Sequence, residues 1–548
     1  MKNLHSIAIP FTYLGPSTKV WLDSFEPTTK LHDLLPVGPW KGIPFPEYRL
    51  ADWQKDPGRR QHLVKAFESL PVPYSSTQTK ALQDLANPNS VVVVTGQQPG
   101  ALGGPLYTFA KILTTVVVSS HLQEKWNIPV IPVLWDGGDD HDLGEIDEVA
   151  WPKEDDGIAH FHFGIGDTGA HPAWMIRLSE EMHLAWKEFL HSVHPPTEFR
   201  LLFTEWYAEL WRDSHSWCDL FDRLWLKIFE DHPLLIVRPW ETPFRELAGP
   251  LLASEVENPT ASMKAVADTT TDLVQSGYKP QVHKKAGLCN FLYIDGEARR
   301  SVTYEGDQFR VEGREGPTAR EDLHKECLEH PEHFSPNALL RPVVQDAILP
   351  SAAVILGPSE IAYHAQLQGL YQRHCVRRPW IVPRFSMTFA NSGQKKRMEE
   401  LGLAWNDLRR DEAEITKNLA SSGTQDLALE NLRILDSQFR SARKAVRTHL
   451  QSGRQHLVEP VEAQMNRIEK ILDQIQDLLL RDEARRDVTL LARVRGLKLN
   501  LLPEGNLQER VFSFAWLVCR HGFDWIAPLI KDTLSWDGES HYVVTLGK

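Results

Sequence analysis

Cysteine is scarce in this chain. The five present, Cys218, Cys289, Cys327, Cys375 and Cys519, are odd in number and widely spaced, and no CxxC pair occurs. That argues against a disulfide framework and fits a reducing, cytoplasmic setting. Positive charge is not in excess: Lys and Arg total 60 against 73 Asp and Glu, a net charge of −13. Broad binding to nucleic acid or to an anionic membrane needs the opposite balance, so neither partner is expected. No apolar run approaches the length of about 18 residues that a membrane span requires. The opening "MKNLHSIAIPFTYLG" is interrupted by Pro10 and lacks the apolar core of a signal peptide.

What is present points to an α/β protein of several structural units, since 548 residues exceed one ordinary core. "VVVVTG", from Val91, reads as a strand buried on both faces, "PLYTFAKILTTVVVSSHL" as a helix, and "IPVIPVLW" as a second buried strand. Strand, loop, helix and strand form the unit of a doubly wound parallel sheet, in which ligands bind at the carboxyl ends of strands. "PLLIVRP", "AAVILGPSEIAYHAQLQGLYQRH" and "PWIVPRFSMTF" continue the pattern. The expected organisation is an N-terminal segment at 1–90 packing on the core and a Rossmann-like core at 91–390. That core carries an insertion at about 151–230 and an antiparallel meander at about 286–315.

Residues 391–505 differ in kind, being charged and poor in aromatics. Leu432, Leu435, Phe439, Ala442 and Val446 recur at intervals of 3 and 4, as do Val461, Met465, Ile468, Leu472, Ile475 and Leu479. This is heptad spacing on two helices, with Gly453 between them, and it predicts an antiparallel coiled-coil hairpin able to pair with a second copy. The basic residues Arg440, Arg443, Lys444, Arg447 and Arg454 are expected on its solvated face. Residues 506–548 turn apolar again and are expected to return to the core.

Three polar loops carry the candidate chemistry. "TGQQPGALGGPLYTFAK" contains Thr95, Gly96, Gln97, Gln98, Gly103, Gly104, Tyr107 and Lys111. Glycines allow close backbone approach, the following helix start attracts anions, and Lys111 adds charge, so a phosphate or carboxylate is the expected ligand. Its spacing matches neither GxxxxGK[ST] nor GxGxxG. "WDGGDDHD" places Asp139, Asp140, His141 and Asp142 at the next strand end. Three readings stay open there: a divalent-metal site, recognition of an amine or sugar with His141 as acid or base, or a helix cap alone. "LGPSEIAYHAQL" offers Gly357, Glu360, Tyr363 and His364 after a strand, and "SPNALLRPVVQD" offers Asn337 and Arg341, the latter able to clamp a carboxylate. His324, Cys327, His330 and His333 recur every three residues, but in a charged stretch expected to be a solvated helix and loop.

The strings "VVTGQQPG…GGPLYT…K", "PVLW…DDHD…EI", "SPNALLRPVVQD", "LGPSEIAYHAQL", "VPRFSMT" and "NLQERV", in this order over nearly the whole chain, resemble the cysteine ligase family of bacillithiol biosynthesis. The resemblance implies a Rossmann-like core with inserted connecting segments and a dimerising coiled coil. It implies a cytoplasmic ligase that forms a carbon–nitrogen bond, joining cysteine to glucosaminyl-malate. It also implies a pocket for ATP or another adenine nucleotide, with Mg²⁺ as an optional companion, and it adds Arg384 and Ser386 of "VPRFSMT" to the binding residues. The chain departs from the family pattern at Ala101-Leu102, where Leu-Phe is usual, at Asp139, where Glu is common, and at Ser359, where Gly is common. Amide formation needs an activated carboxylate, through an acyl-adenylate or acyl-phosphate. The layout is also similar to that of class I aminoacyl-tRNA synthetases, which activate carboxylates as adenylates. On this reading Asp139, Asp140 and Asp142 hold the ammonium or sugar hydroxyls, and His141 accepts the amine proton. A metal-dependent amide hydrolase built on "DDHD" and a non-catalytic coiled-coil scaffold remain as alternatives.

Overall fold

The computed structural model describes residues 4–14, 19–26, 29–153, 157–165, 171–193, 197–282, 285–296, 298–423, 427–486 and 488–546. The chain divides into two compact units, Met1–Phe389 with Leu507–Lys548, and Ala390–Asn506.

The first unit is built on a parallel five-stranded sheet. Its strands are β1 (Val91–Gln97), β2 (Val130–Asp136), β3 (Leu235–Val237), β4 (Ser351–Leu356) and β5 (Trp380–Pro383), and their spatial order is β5-β4-β1-β2-β3. Val91 to Val94 are wholly buried, as both-face apolar runs must be in a sheet covered on two sides. Helix α1 (Leu106–Trp126) connects β1 to β2 and ends on Asn127 in the left-handed conformation, φ 54°. All five strands run the same way, so the turns after Gln97, Asp136, Leu356 and Pro383 share one edge of the sheet.

The segment between β2 and β3 carries a two-stranded ribbon, Glu148–Pro152 with Ile158–His162, then helices Glu180–Val193, Glu198–Asp213 and Trp217–Ile228. Phe109 of α1 packs against Trp225, Phe229, Phe514 and Trp525, so the core is an aromatic cluster drawn from three distant stretches. After β3 come α2 (Thr242–Glu257) and a second sheet. That antiparallel sheet joins Leu288–Asp295, Ala298–Glu305, Gln308–Val311 and Thr318–Ala319 with Phe334–Pro336 on its other edge. Phe334–Pro336 leads directly into Asn337 and α3 (Arg341–Ile348), and α4 (Pro358–His364) follows β4. His5–Pro10 pairs antiparallel with Ser540–Leu546, which brings the two ends of the chain into one three-stranded sheet with Ser386–Asn391.

The second unit contains the hairpin that the heptads predict. Helix α5 (Glu412–Gly423) precedes α6 (Leu427–Gly453), which turns at Arg454 into α7 (Val458–Arg486), followed by α8 (Val488–Leu501). Two details differ from the sequence reading. Helix α5 packs beside α7 and α8, so the unit is more than a two-helix hairpin. Arg443 is not merely solvated: it bridges Glu462 at 2.6 Å and Glu469 at 2.5 Å across the hairpin. No described helix is long and apolar enough to cross a membrane.

Candidate functional site

The strand ends and the second sheet enclose a cavity of about 710 Å³. It gathers most of the residues singled out in sequence: Gly96, Gln97, Gln98, Tyr107, Lys111, Asp139, Asp140, His141, Asn337, Arg341, Gly357, Glu360, Tyr363 and Arg384. Because the parallel strands end together, loops separated by more than 200 residues meet there.

Thr95, Gly103, Gly104, Asp142 and Ser386 are not among the lining residues. The Thr95 hydroxyl donates to Ile355 O at 3.0 Å inside the sheet. Gly103 has φ +86°, and a Cβ there would stand 3.3 Å from Leu224 and Trp225. Gly104 has φ +78°, and a Cβ would stand 2.9 Å from the Thr108 hydroxyl. These two glycines therefore serve a tight turn packed on the core. Asp142 is exposed, and Ser386 is buried, donating to Glu509 at 2.9 Å and meeting His541 Nδ1 at 2.8 Å.

The structure changes the expected role of Lys111. Its ammonium contacts Glu360 Oε2 at 2.6 Å, Gly96 O at 2.8 Å and Gln97 Oε1 at 3.1 Å. An ammonium has three donors, and all three are taken. Burial lowers its pKa, and Glu360 works against that shift. Lys111 is thus a buried tie between the end of β1 and the first turn of α4 rather than a free anion ligand. Glu360 Oε2 also accepts from Gly357 N at 2.8 Å, which closes the start of α4.

Arg384 is held in a similar way. Its guanidinium donates to Glu509 at 2.7 Å and to Phe385 O at 2.9 Å, and lies 5.6 Å from the Tyr107 ring centre. Burial acts to raise the Glu509 carboxyl, but Arg384, His541 and the backbone N–H of Met387 together hold it below its ordinary range. Glu509 and Arg510 belong to "NLQERV", so the C-terminal segment supplies both a tether for Arg384 and a lining residue. Arg341 donates to Gln345 Oε1 at 3.0 Å and Tyr363 Oη at 3.1 Å. Among the described residues it has no carboxylate at ion-pair distance, and the same is true of Arg299 and Arg510. The sequence reading missed Arg299, Arg510 and Glu145. Arg299 and Glu145 were hidden because nothing in an alternating strand or an acidic turn marks which residue will face a cavity formed by remote loops.

The four residues of "DDHD" diverge. Asp139 accepts from Arg245 of α2 at 2.5 Å and from Ser335 at 3.4 Å. Asp140 accepts from Gln98 Nε2 at 2.7 Å and caps His141 N at 2.8 Å. His141 is exposed at the rim. Glu145, also lining the cavity, has its carboxyl pushed up by burial, with Asp142 and Asp140 adding to the shift. These carboxylates do not converge as a metal ligand set does. Among the described residues, the grouping of three compact enough to hold an ion is His330, Glu332 and His333. That stretch also corrects an expectation. His330 and His333 stack at 5.2 Å, and Cys327 is not solvated but fully buried, its thiol pushed up to about 12 by that burial.

The match with known proteins decides the family. Residues 45–385 fit the model of the bacillithiol biosynthesis BshC N-terminal Rossmann-like domain, and residues 387–546 that of the BshC C-terminal coiled-coil domain. The chain belongs to the BshC family. Among its relatives are proteins named "Putative cysteine ligase BshC". One from Salinibacter ruber is 28% identical over 473 residues, covering 84% of each chain. One from Chlorobaculum tepidum is 28% identical over 501 residues, covering 86% of each. One from Solibacter usitatus is 28% identical over 503 residues, covering 89% of this chain and 90% of its own. The BshC match spans both units, so the α/β unit and the helical hairpin belong together in this family.

Proposed function

We propose that this BshC-family protein joins cysteine to glucosaminyl-malate through an amide bond, and that the reaction takes place in the cavity at the strand ends. The observation that carries the reading is the division of charge in that one space. Arg341, Arg384 and Arg510 face it from α3, the end of β5 and the C-terminal segment, whereas Asp140, Glu145 and His141 face it from the turn after β2. Guanidinium groups suit the carboxylates of a malate moiety or of cysteine, or phosphates. Carboxylates suit an ammonium group or sugar hydroxyls.

A carboxylate must gain a leaving group before an amine can displace it, and an adenine nucleotide such as ATP would supply one. Arg341 and Arg510, which have no carboxylate at ion-pair distance among the described residues, are the residues whose chemistry fits its phosphates. The divergent "DDHD" carboxylates do not fit a resident metal such as Mg²⁺. The attacking amine must be neutral, so a base at the amine end is needed. His141 and Glu145 occupy that end, and His141 takes the proton in this reading.

The hairpin supports a second copy as partner. Leu435, Ile468 and Ile475 are 50%, 42% and 40% exposed, although their heptad spacing is that of a buried seam.

The test is an assay with glucosaminyl-malate, cysteine and ATP, following bacillithiol and AMP against ADP by mass spectrometry. Product with either nucleotide is expected, and no product with any nucleotide overturns the ligase reading. H141A is expected to lower kcat about 100-fold, in line with general-base catalysis. Unchanged turnover removes His141 from that role and leaves Glu145 to be tested.

A further inference from the structure

We propose that Arg299, on the strand Ala298–Glu305 of the antiparallel sheet, binds an oxyanion of the substrate, a carboxylate or a phosphate group, from the wall of this cavity. The inference rests on the reading of the cavity as the substrate site.

The argument starts from donors. A guanidinium carries five N–H groups in a rigid fork. In Arg299 one nitrogen, Nη2, donates to Pro336 O at 2.9 Å, while Nε is buried with no acceptor. Arg299 is 8% exposed, so water satisfies little of what the protein leaves open. Its charge is also incompletely answered. The acids that attract it are Asp139 and Asp140, yet Asp139 is held by Arg245 and Ser335, and Asp140 by Gln98 and the backbone of His141. Burial lowers the Arg299 pKa despite the attraction of those two carboxylates. A buried guanidinium short of acceptors weakens a fold unless something pairs with it.

Its neighbours define where the missing partner belongs. Arg299, Leu292, Pro336 and Asn337 line the same cavity. The bond to Pro336 O fixes its orientation, which is the arrangement that makes bidentate recognition of a planar carboxylate selective. The other buried cations of the site, Lys111 and Arg384, already have the carboxylates Glu360 and Glu509. Arg299 does not.

The experiment measures binding of L-malate, L-cysteine and pyrophosphate separately by calorimetry. It uses the full-length wild type, R299Q, R299K and R341Q, with a thermal melt of each protein with and without each anion. Arg299 as ligand predicts a loss of at least tenfold in affinity for one anion in R299Q. It also predicts that R299Q without ligand melts no lower than wild type, and that the upward melting shift caused by that anion disappears. The anion affected separates a carboxylate partner from a phosphate one. R299K keeps the charge but not the fork and is expected to recover part of the affinity. If R299Q binds all three anions as wild type does, this assignment falls and the cavity reading stands. If R299Q and R299K both melt well below wild type with affinity unchanged, Arg299 is a structural group and the assignment falls. If wild type binds none of the three, the cavity reading falls and takes this assignment with it.

Discussion

The parallel sheet and the helical hairpin handle apolar surface in opposite ways. Val91 to Val94 are completely enclosed by their own chain, whereas Leu435, Ile468 and Ile475 of the hairpin keep 40–50% of their surface in water. Polar groups in the α/β unit follow the sheet: the Lys111 ammonium has all its donors met and Arg384 its carboxylate, each within the unit. The α/β unit thus encloses its own apolar strands, whereas these three seam residues of the hairpin stay partly exposed.

The largest expected effect comes from breaking a buried ion pair of the α/β unit. E360A leaves Lys111 buried without its carboxylate, which is expected to cost about 3–5 kcal/mol, by the precedent for breaking a buried pair. A chemical melt followed by near-ultraviolet circular dichroism measures it. A change no larger than that of a surface substitution would mean the pair is not what holds β1 to α4.

Next comes the same truncation placed in each region. L134A in β2, where the side chain is 0% exposed, is expected to cost about 2–5 kcal/mol. L435A is expected to cost far less in a dilute monomer, because half of its surface is already in water. Equal losses would erase the contrast between the two regions.

Charge on the stripe sharpens the comparison further. Wild type is expected to sediment as a dimer, and the triple variant L435E/I468E/I475E to keep its helical circular dichroism but sediment as a monomer at the same concentration. A monomeric wild type at micromolar concentration would end the pairing reading.

A further effect concerns pH. Asp136 ends β2 completely buried, and burial followed by the nearby Asp222 raises its pKa well above the usual range. The native state therefore keeps a proton that the unfolded chain releases above about pH 4. Stability falls as pH rises from there until the native carboxyl ionises. D136N removes this dependence, so its stability relative to wild type should improve steadily from pH 4 to 7. A constant difference across that range would place the proton elsewhere.

Much of the fold was legible. "VVVVTG" and "IPVIPVLW" are apolar on both faces, which only a covered parallel strand accommodates, and the 3–4 spacing of Leu432 to Val446 admits only a helix seam. The candidate site was legible as three polar loops, because parallel strands place their following turns on one edge. Its inner pairing was not. The glycines and amides beside Lys111 in sequence point to an anion ligand, while its actual partner, Glu360, lies 249 residues further on. Asp139 was grouped with Asp140 and Asp142 by adjacency, yet Arg245 draws it to α2. Arg299 escaped notice because an arginine in an alternating strand looks like a solvent-facing residue until the loop around Pro336 covers it.

By itself the sequence determined the periods: two-sided apolar strands, one long helix after β1, and a heptad seam. These follow from local geometry, since 2.0 and 3.6 residues per repeat set which side chains share a face. Only the tertiary structure decided which charges are answered and which are not. An ion pair depends on distance in space, and Lys111 with Glu360, Arg384 with Glu509 and Asp139 with Arg245 are all joined across long separations in the chain. What remains after those pairings is a cavity with unanswered guanidinium groups, and that remainder is what a ligand would recognise.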